Sequence, residues 1–182
     1  MRLQQKAVLI TLVSLLVAGT WIVYQQTTSK PATSFNMAGG GVELLPAFSF
    51  PDVEGVSRSS NEWAGRILVV NFWATWCPPC REEMPLFVEL QKQFAERGVQ
   101  FVSIAIDEPG LVRDFYDVYG INFPTLIGGM EAIKLANTLG NRFDSLPFTA
   151  IFDRNGNSHY IRAGQVSREI LMAQFDKLLQ DS

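Results

Sequence analysis

The sequence predicts an α/β domain, a mixed central sheet with helices on both faces, preceded by one N-terminal transmembrane helix. Three observations carry this. Short apolar, β-branched runs alternate with stretches of helical period between Ile67 and Leu139. Two further strand-like runs flank Asp153-Arg154-Asn155-Gly156-Asn157 and close the domain as an antiparallel hairpin before a last helix. Near the amino terminus, Ala7 to Tyr24 is an unbroken run without charge.

The chain has 182 residues, 47% of them hydrophobic, which suits one domain and a short extra segment. A net charge of −3 gives no basic field of the kind nucleic acid requires. All 18 acidic residues lie from Glu43 onward, whereas the first forty residues carry only Arg2, Lys6 and Lys30. The two regions are therefore built for different surroundings.

Ala7–Tyr24 is long enough, at about 1.5 Å per residue in a helix, nearly to cross a hydrocarbon core about 30 Å thick. Arg2 and Lys6 precede it, and Trp21 and Tyr24 sit at its far end as interfacial anchors. Residues 1–24 are thus expected to form a signal anchor with the remainder outside the cytoplasm. The alternative is a cleaved signal peptide with Val17-Ala18-Gly19 as its small-residue site. Residues 25–41 are polar, small and glycine-ended, as in a flexible tether, and 42–182 form the globular domain.

Within the domain, Leu45–Phe50 alternates as a strand, Pro51–Gly55 supplies a turn, and Ser57–Ala64 a short return with a helical turn. Ile67–Phe72 is the central buried strand. A helix starts at or just after Cys77 and places Met84, Leu86, Phe87, Leu90 and Phe94 on one stripe, with Pro85 expected to kink it and Gly98 to end it. Val99–Ile106 is a second buried strand, and Asp107 is expected to cap a helix from Pro109 to Tyr119. Phe123–Ile127 reads as a strand, Glu131–Leu139 as a helix, Phe148–Phe152 and His159–Ala163 as the hairpin. The last helix, Ser167–Leu179, buries Ile170, Leu171, Phe175, Leu178 and Leu179.

The chemistry concentrates in Phe72-Trp73-Ala74-Thr75-Trp76-Cys77-Pro78-Pro79-Cys80, which holds both cysteines of the chain. Three apart at a helix start, they fall one turn from each other, within reach of a small-loop disulfide. Cys77 meets the positive end of the helix, which favours a thiolate. As a structural staple so small a loop removes little unfolded-state entropy. A closed zinc site needs four ligands, and one histidine, His159, is all that accompanies the pair. A strand followed by Cys-X-X-Cys points to redox chemistry, and sites in such sheets form beyond the carboxyl ends of the strands.

Val-Asn-Phe-Trp-Ala-Thr-Trp-Cys-Pro-Pro-Cys-Arg-Glu-Glu-Met-Pro resembles the active-site stretch of membrane-anchored, thioredoxin-fold proteins of the TlpA/ResA type. The likeness extends to Leu45-Pro46-Ala47-Phe48, to Leu146-Pro147-Phe148-Thr149 and to Ile151–Gly156, covering roughly 42–182. It implies a thioredoxin-like fold and a thiol–disulfide oxidoreductase in which Cys77 attacks and Cys80, the more buried sulfur, resolves. It implies a cis bond before Pro147, with Pro124 as the competing position. Glu83 matches a glutamate that relatives place near the thiols, where it would relay a proton; its plain alternative is an exposed helix charge like Glu82. Trp76, Pro78, Pro79, Leu146 and Pro147 are the implied substrate-contacting surface, and Trp73 is expected in the core. Asp107 ends a central strand on the active-site edge but is read as a helix cap, and His159, in a hairpin beside a turn, as an exposed surface residue.

The resemblance further implies a monomer without cofactor, acting on protein disulfides and resupplied by a membrane thiol-transfer donor. Relatives of this type act as reductants, for example on apocytochrome c or on proteins preparing copper sites. Two other classes stand beside it. A copper metallochaperone would use Cys77 and Cys80 with Met84 or His159. A peroxidase would want a lone cysteine near a threonine and an arginine, and Thr75 precedes Cys77 by only two residues.

Overall fold

The computed structural model describes residues 42–180. The expected anchor over 1–24 and tether over 25–41 lie outside the described residues, and among the described residues no helix is long and apolar enough to cross a membrane. The elements are β1 (Ser49–Pro51), β2 (Ser57–Ser59), a 3-10 turn (Ser60–Trp63), β3 (Ile67–Trp73) and α1 (Pro78–Phe94). A second 3-10 turn (Ala95–Arg97), β4 (Val99–Ala105), α2 (Pro109–Tyr119), β5 (Thr125–Ile127) and α3 (Gly129–Thr138) follow. The chain closes with β6 (Phe148–Phe152), β7 (Ser158–Ala163) and α4 (Arg168–Gln180).

The main sheet has the order β5-β4-β3-β6-β7. β3 pairs parallel with β4, which pairs parallel with β5, while β6 runs antiparallel to both β3 and β7. All seven residues of β3 are buried, as the middle strand of a sheet covered on both faces requires. Ile67, Val69 and Trp73 pack with Met84, Phe87, Leu90 and Phe94 of α1 and with Phe175 of α4. Leu68, Val70 and Phe72 point the other way, onto Phe48, Trp63 and Ala132 and Ala136 of α3. The period-two alternation of one strand thus makes two cores.

Some expectations shift in detail, and in α4 Ile170 and Leu179 are half-buried rather than buried. The first strand is shorter than Leu45–Phe50: Leu45 N–H instead donates to the Gly156 carbonyl (2.8 Å), and Leu44 bridges Asn157. Pro51 belongs to β1 rather than to the turn, tolerable in a strand that among the described residues pairs only with β2. Pro85 lies inside α1, as expected, and is exposed. Gly98 ends that segment as expected, at φ +87° with its N–H on the Ala95 carbonyl (3.0 Å).

Gly128 marks the tightest approach of α3 to the sheet. A Cβ there would lie 2.5 Å from the Ala132 Cβ and 2.9 Å from the Ile104 Cγ2, neither of which can swing away. Gly128→Ala is expected to cost about 1–3 kcal/mol by overpacking, read as a lower denaturation midpoint. Gly110→Ala, on α2 with open space around it, serves as the control and should leave the midpoint unchanged or slightly raised.

Candidate active site

The reactive turn is a product of where β3 stops. Trp73 and Ala74 are still buried, and the Trp73 ring packs 4.8 Å from that of Phe115, a core position as expected. The chain then surfaces through Thr75 and Trp76, whose indole is 65% exposed. The Cys77 N–H turns back to the Ala74 carbonyl (3.2 Å), and Cys77, with extended backbone, becomes the N-cap of α1. Cys77 and Cys80 form a disulfide, S–S 2.03 Å, with Cα atoms 5.3 Å apart. Cys77 keeps 4% exposure and Cys80 none, so an incoming sulfur meets Cys77. Pro78 and Pro79 fill N1 and N2 without an amide hydrogen, so among the first three helical residues only Cys80 carries one.

Pro147 arrives at the same edge by register. Phe148 of β6 pairs with Phe72 of β3, which sets the residue before it beside the end of β3. The Leu146–Pro147 bond is cis, and among the described residues it is the one cis peptide bond, so Pro124 does not take that role. The Pro124 carbonyl instead accepts the Ser103 N–H (3.0 Å) at the start of β5. The loop before Pro147 is clamped by Asn141, whose side chain accepts the Ser145 N–H (3.0 Å) and donates to the Ser145 carbonyl (2.9 Å).

Glu83 is not the exposed charge that Glu82 is. It is 1% exposed, one turn past Cys80 on the buried side of α1. The Asn71 amide donates to its Oε1 (2.9 Å) and the Val166 N–H to its Oε2 (3.1 Å). Burial pushes its carboxyl up to about 7, against the pull of the Val166 and Asn71 hydrogen bonds, which favour the charge. A carboxyl poised near neutrality beside a buried sulfur can hold or release a proton at working pH. Asn71 also donates to Thr149 Oγ1 (3.1 Å), while its own Oδ1 has no hydrogen-bond partner.

Two sequence expectations fail here. Asp107 does not cap α2: Glu108 is the N-cap, without a side-chain bond. The ladder runs one bond further than the strand, Ile106 N–H to the Trp73 carbonyl (2.9 Å), and this carries Asp107 to Thr75. Its Oδ2 accepts both the Thr75 N–H (2.8 Å) and the Thr75 hydroxyl (2.5 Å). His159 is not a free surface residue; it is half-buried, with Nε2 out of solvent and unpaired. It lies where β7 shifts register against Ile151 and Phe152, at the end of the sheet away from Cys77, and so does not join the cysteines as a ligand. Met84, the other ligand weighed, is fully buried on α1. Among the described residues no three His, Cys, Asp or Glu side chains gather as a metal site.

The residues that sequence reasoning passed over are Asn71, Thr149 and Val166. An asparagine inside the run Ile67–Trp73 is itself a signal, since a polar group in a buried strand needs a partner. Thr149 becomes that partner only through the β3–β6 register.

The model of the Redoxin family matches residues 41–179. The chain belongs to the Redoxin family. This Redoxin chain is similar to the thiol-disulfide oxidoreductase ResA of Geobacillus kaustophilus, 31% identical over 93% of this chain and 94% of that one. It is 29% identical to the ResA of Geobacillus thermodenitrificans over 98% and 99% of the two chains. A solved thiol:disulfide interchange protein of the thioredoxin family from Chlorobium tepidum is 32% identical, with a TM-score of 0.67, over 75% of this chain and 96% of that one. The domain is therefore a thioredoxin-like thiol–disulfide oxidoreductase, with Cys77–Cys80 its cysteine pair.

The buried carboxyl makes stability depend on pH. Unfolded, Glu83 ionises near its ordinary 4.5; folded, it keeps its proton to about 7. Its contribution is fully present below the lower value and is lost as pH rises through the upper one, on the order of 3 kcal/mol in all. Thermal denaturation of the oxidised protein from pH 5 to 8 should show this fall. Glu83→Gln, which mimics the protonated acid, should flatten it; an unchanged slope in the variant would contradict the assignment.

Proposed function

We propose that the protein is a membrane-tethered, extracytoplasmic reductant of protein disulfides. The observation that carries the reading is the disulfide at the N-cap of α1 with a buried carboxyl one turn behind it. In the reduced protein the Cys77 thiolate attacks a substrate disulfide and forms a mixed disulfide, one substrate sulfur leaving as a thiol. Glu83 accepts the Cys80 proton, and the Cys80 thiolate attacks the Cys77 sulfur. The second substrate sulfur departs, takes up a proton, and leaves Cys77–Cys80 oxidised. Trp76, Pro78, Pro79, Leu146 and cis-Pro147 form the contact surface around the exposed edge of Cys77.

The reducing direction follows from the TlpA/ResA resemblance, which also suggests substrates such as apocytochrome c or copper-site proteins. Disulfides persist in oxidising compartments, so the thiols there need a membrane thiol-transfer donor to renew them. The tether rests on Ala7–Tyr24 behind Arg2 and Lys6, with residues 25–41 as the linker and 42–182 as the catalytic domain of a monomer.

Two measurements test this. With Cys80→Ser the mixed disulfide on Cys77 should accumulate and release its partner on adding reductant; a partner that entered as a dithiol and left as a disulfide in the wild type would reverse the direction. The full-length protein should stay with membranes through a high-salt wash, whereas a soluble form beginning near Thr20 would replace the anchor with a cleaved signal.

A further inference from the structure

The hydrogen bonds of the reactive turn divide into those within the turn and its helix and those that leave them. The bond from Cys77 N–H to the Ala74 carbonyl closes the turn on itself, and that from Arg81 N–H to the Cys77 carbonyl is the first of α1. Among the described residues, the side-chain tie from Ala74–Cys77 to another element is the pair of bonds from Thr75 to Asp107 Oδ2. Asp107 Oδ1 is itself fixed by the Glu108 N–H (2.8 Å). One carboxylate oxygen thus takes a main-chain and a side-chain donor of the same residue. In the oxidised protein the covalent Cys77–Cys80 bond already ties the turn to α1. Once that bond opens, the Thr75–Asp107 pair is the side-chain tie that still joins the turn to the end of β4.

We propose that Asp107 is a positioning residue for disulfide exchange, holding the turn through Thr75 so that the Cys77 sulfur stays within reach of Cys80 while the two are not bonded. The inference rests on exchange at Cys77–Cys80 in either net direction. In the resolving step the Cys80 thiolate forms the Cys77–Cys80 bond. The bond from Cys77 to the substrate breaks, and the substrate sulfur leaves with the electron pair and takes up a proton. The effective concentration of one sulfur at the other rises with the order of the turn that carries them. A tie that acts in the open state therefore favours the closed disulfide and speeds release of substrate.

The test is the equilibrium of the full-length protein with a glutathione buffer, read by trapping free thiols at a series of ratios. Asp107→Ala is expected to lower the constant for Cys77–Cys80 formation about tenfold, a potential about 30 mV more oxidising, and to let the mixed disulfide accumulate. Asp107→Asn, which keeps an oxygen acceptor without the charge, should stay within about twofold of wild type. Thr75→Val should shift the constant in the same direction as Asp107→Ala, and the double variant should add little to either. If Asp107→Ala fails to fold, Thr75→Val carries the same test. An unchanged constant in a protein destabilised equally in both redox states would reduce Asp107 to a structural residue. Equal shifts in Asp107→Asn and Asp107→Ala would make the effect one of charge and overturn positioning. A wild type that does not exchange with glutathione would instead count against the exchange reading on which the inference rests.

Discussion

A carboxylate buried between a helix and a sheet can sit in few places, because moving it away from its donors costs several kcal/mol. Glu83 meets that demand with Asn71 on β3 and the Val166 N–H just before α4. Three separate parts of the chain are thereby held in one arrangement. Sliding α1 along the sheet by a turn would carry the carboxyl away from both donors. Its counterpart in the sheet is a polar row at one level across four strands. Thr125 pairs in register with Ser103, Ser103 with Asn71, and Asn71 with Thr149. Ser103 and Thr125 hydroxyls bond each other at 2.9 Å, as Asn71 and Thr149 do at 3.1 Å. A slip of one residue on any of these strands would turn a polar side chain into the opposite, apolar core.

The sulfurs stand directly on this arrangement. Trp73 is two residues beyond Asn71, and the turn to Cys77 begins there, so the row that fixes the sheet also fixes where the disulfide projects. The buried side of the turn answers to Glu83 beneath α1. The outer side answers to Asp107 at the end of β4, brought opposite Thr75 because Ile106 adds one more rung to the parallel ladder. Cys77 lies along the chain between Thr75, which this fixed acceptor holds, and Glu83, a group that titrates near neutrality.

Much of this is legible in the chain itself. The apolar runs at Ile67, Val99 and Phe148 became β3, β4 and β6 because nothing but a buried strand accommodates them. Glu83 stands four residues before Phe87 and seven before Leu90, on the stripe of Met84, Phe87, Leu90 and Phe94, so its burial could have been read from helical phase alone. Asp107 was different. An aspartate two residues before Pro109 has the look of a helix cap, and only the β3–β4 register shows that its carboxylate faces Thr75 instead. His159 misled for a related reason. A hairpin residue beside a turn reads as surface, but His159 falls at the register shift against Ile151 and Phe152 and is half-buried.

The residues between the cysteines bear on the direction of the chemistry. A helix terminus favours an anion through its field and through its free N–H groups together. Here the field remains, but Pro78 and Pro79 withdraw two of the donors that would otherwise face the Cys77 sulfur. The carboxyl of Glu83 lies behind the pair and adds no positive charge. Strong oxidants of this chemistry owe their potential to a heavily stabilised reduced form. A turn that leaves its thiolate with one amide in the first three helical positions lacks that stabilisation. That is what the proposed reducing direction asks of the pair, since an enzyme whose closed disulfide is favoured passes electrons outward to its partners. The two prolines thus support the same direction as the family resemblance, and they do so through the hydrogen-bond inventory of a single helix end.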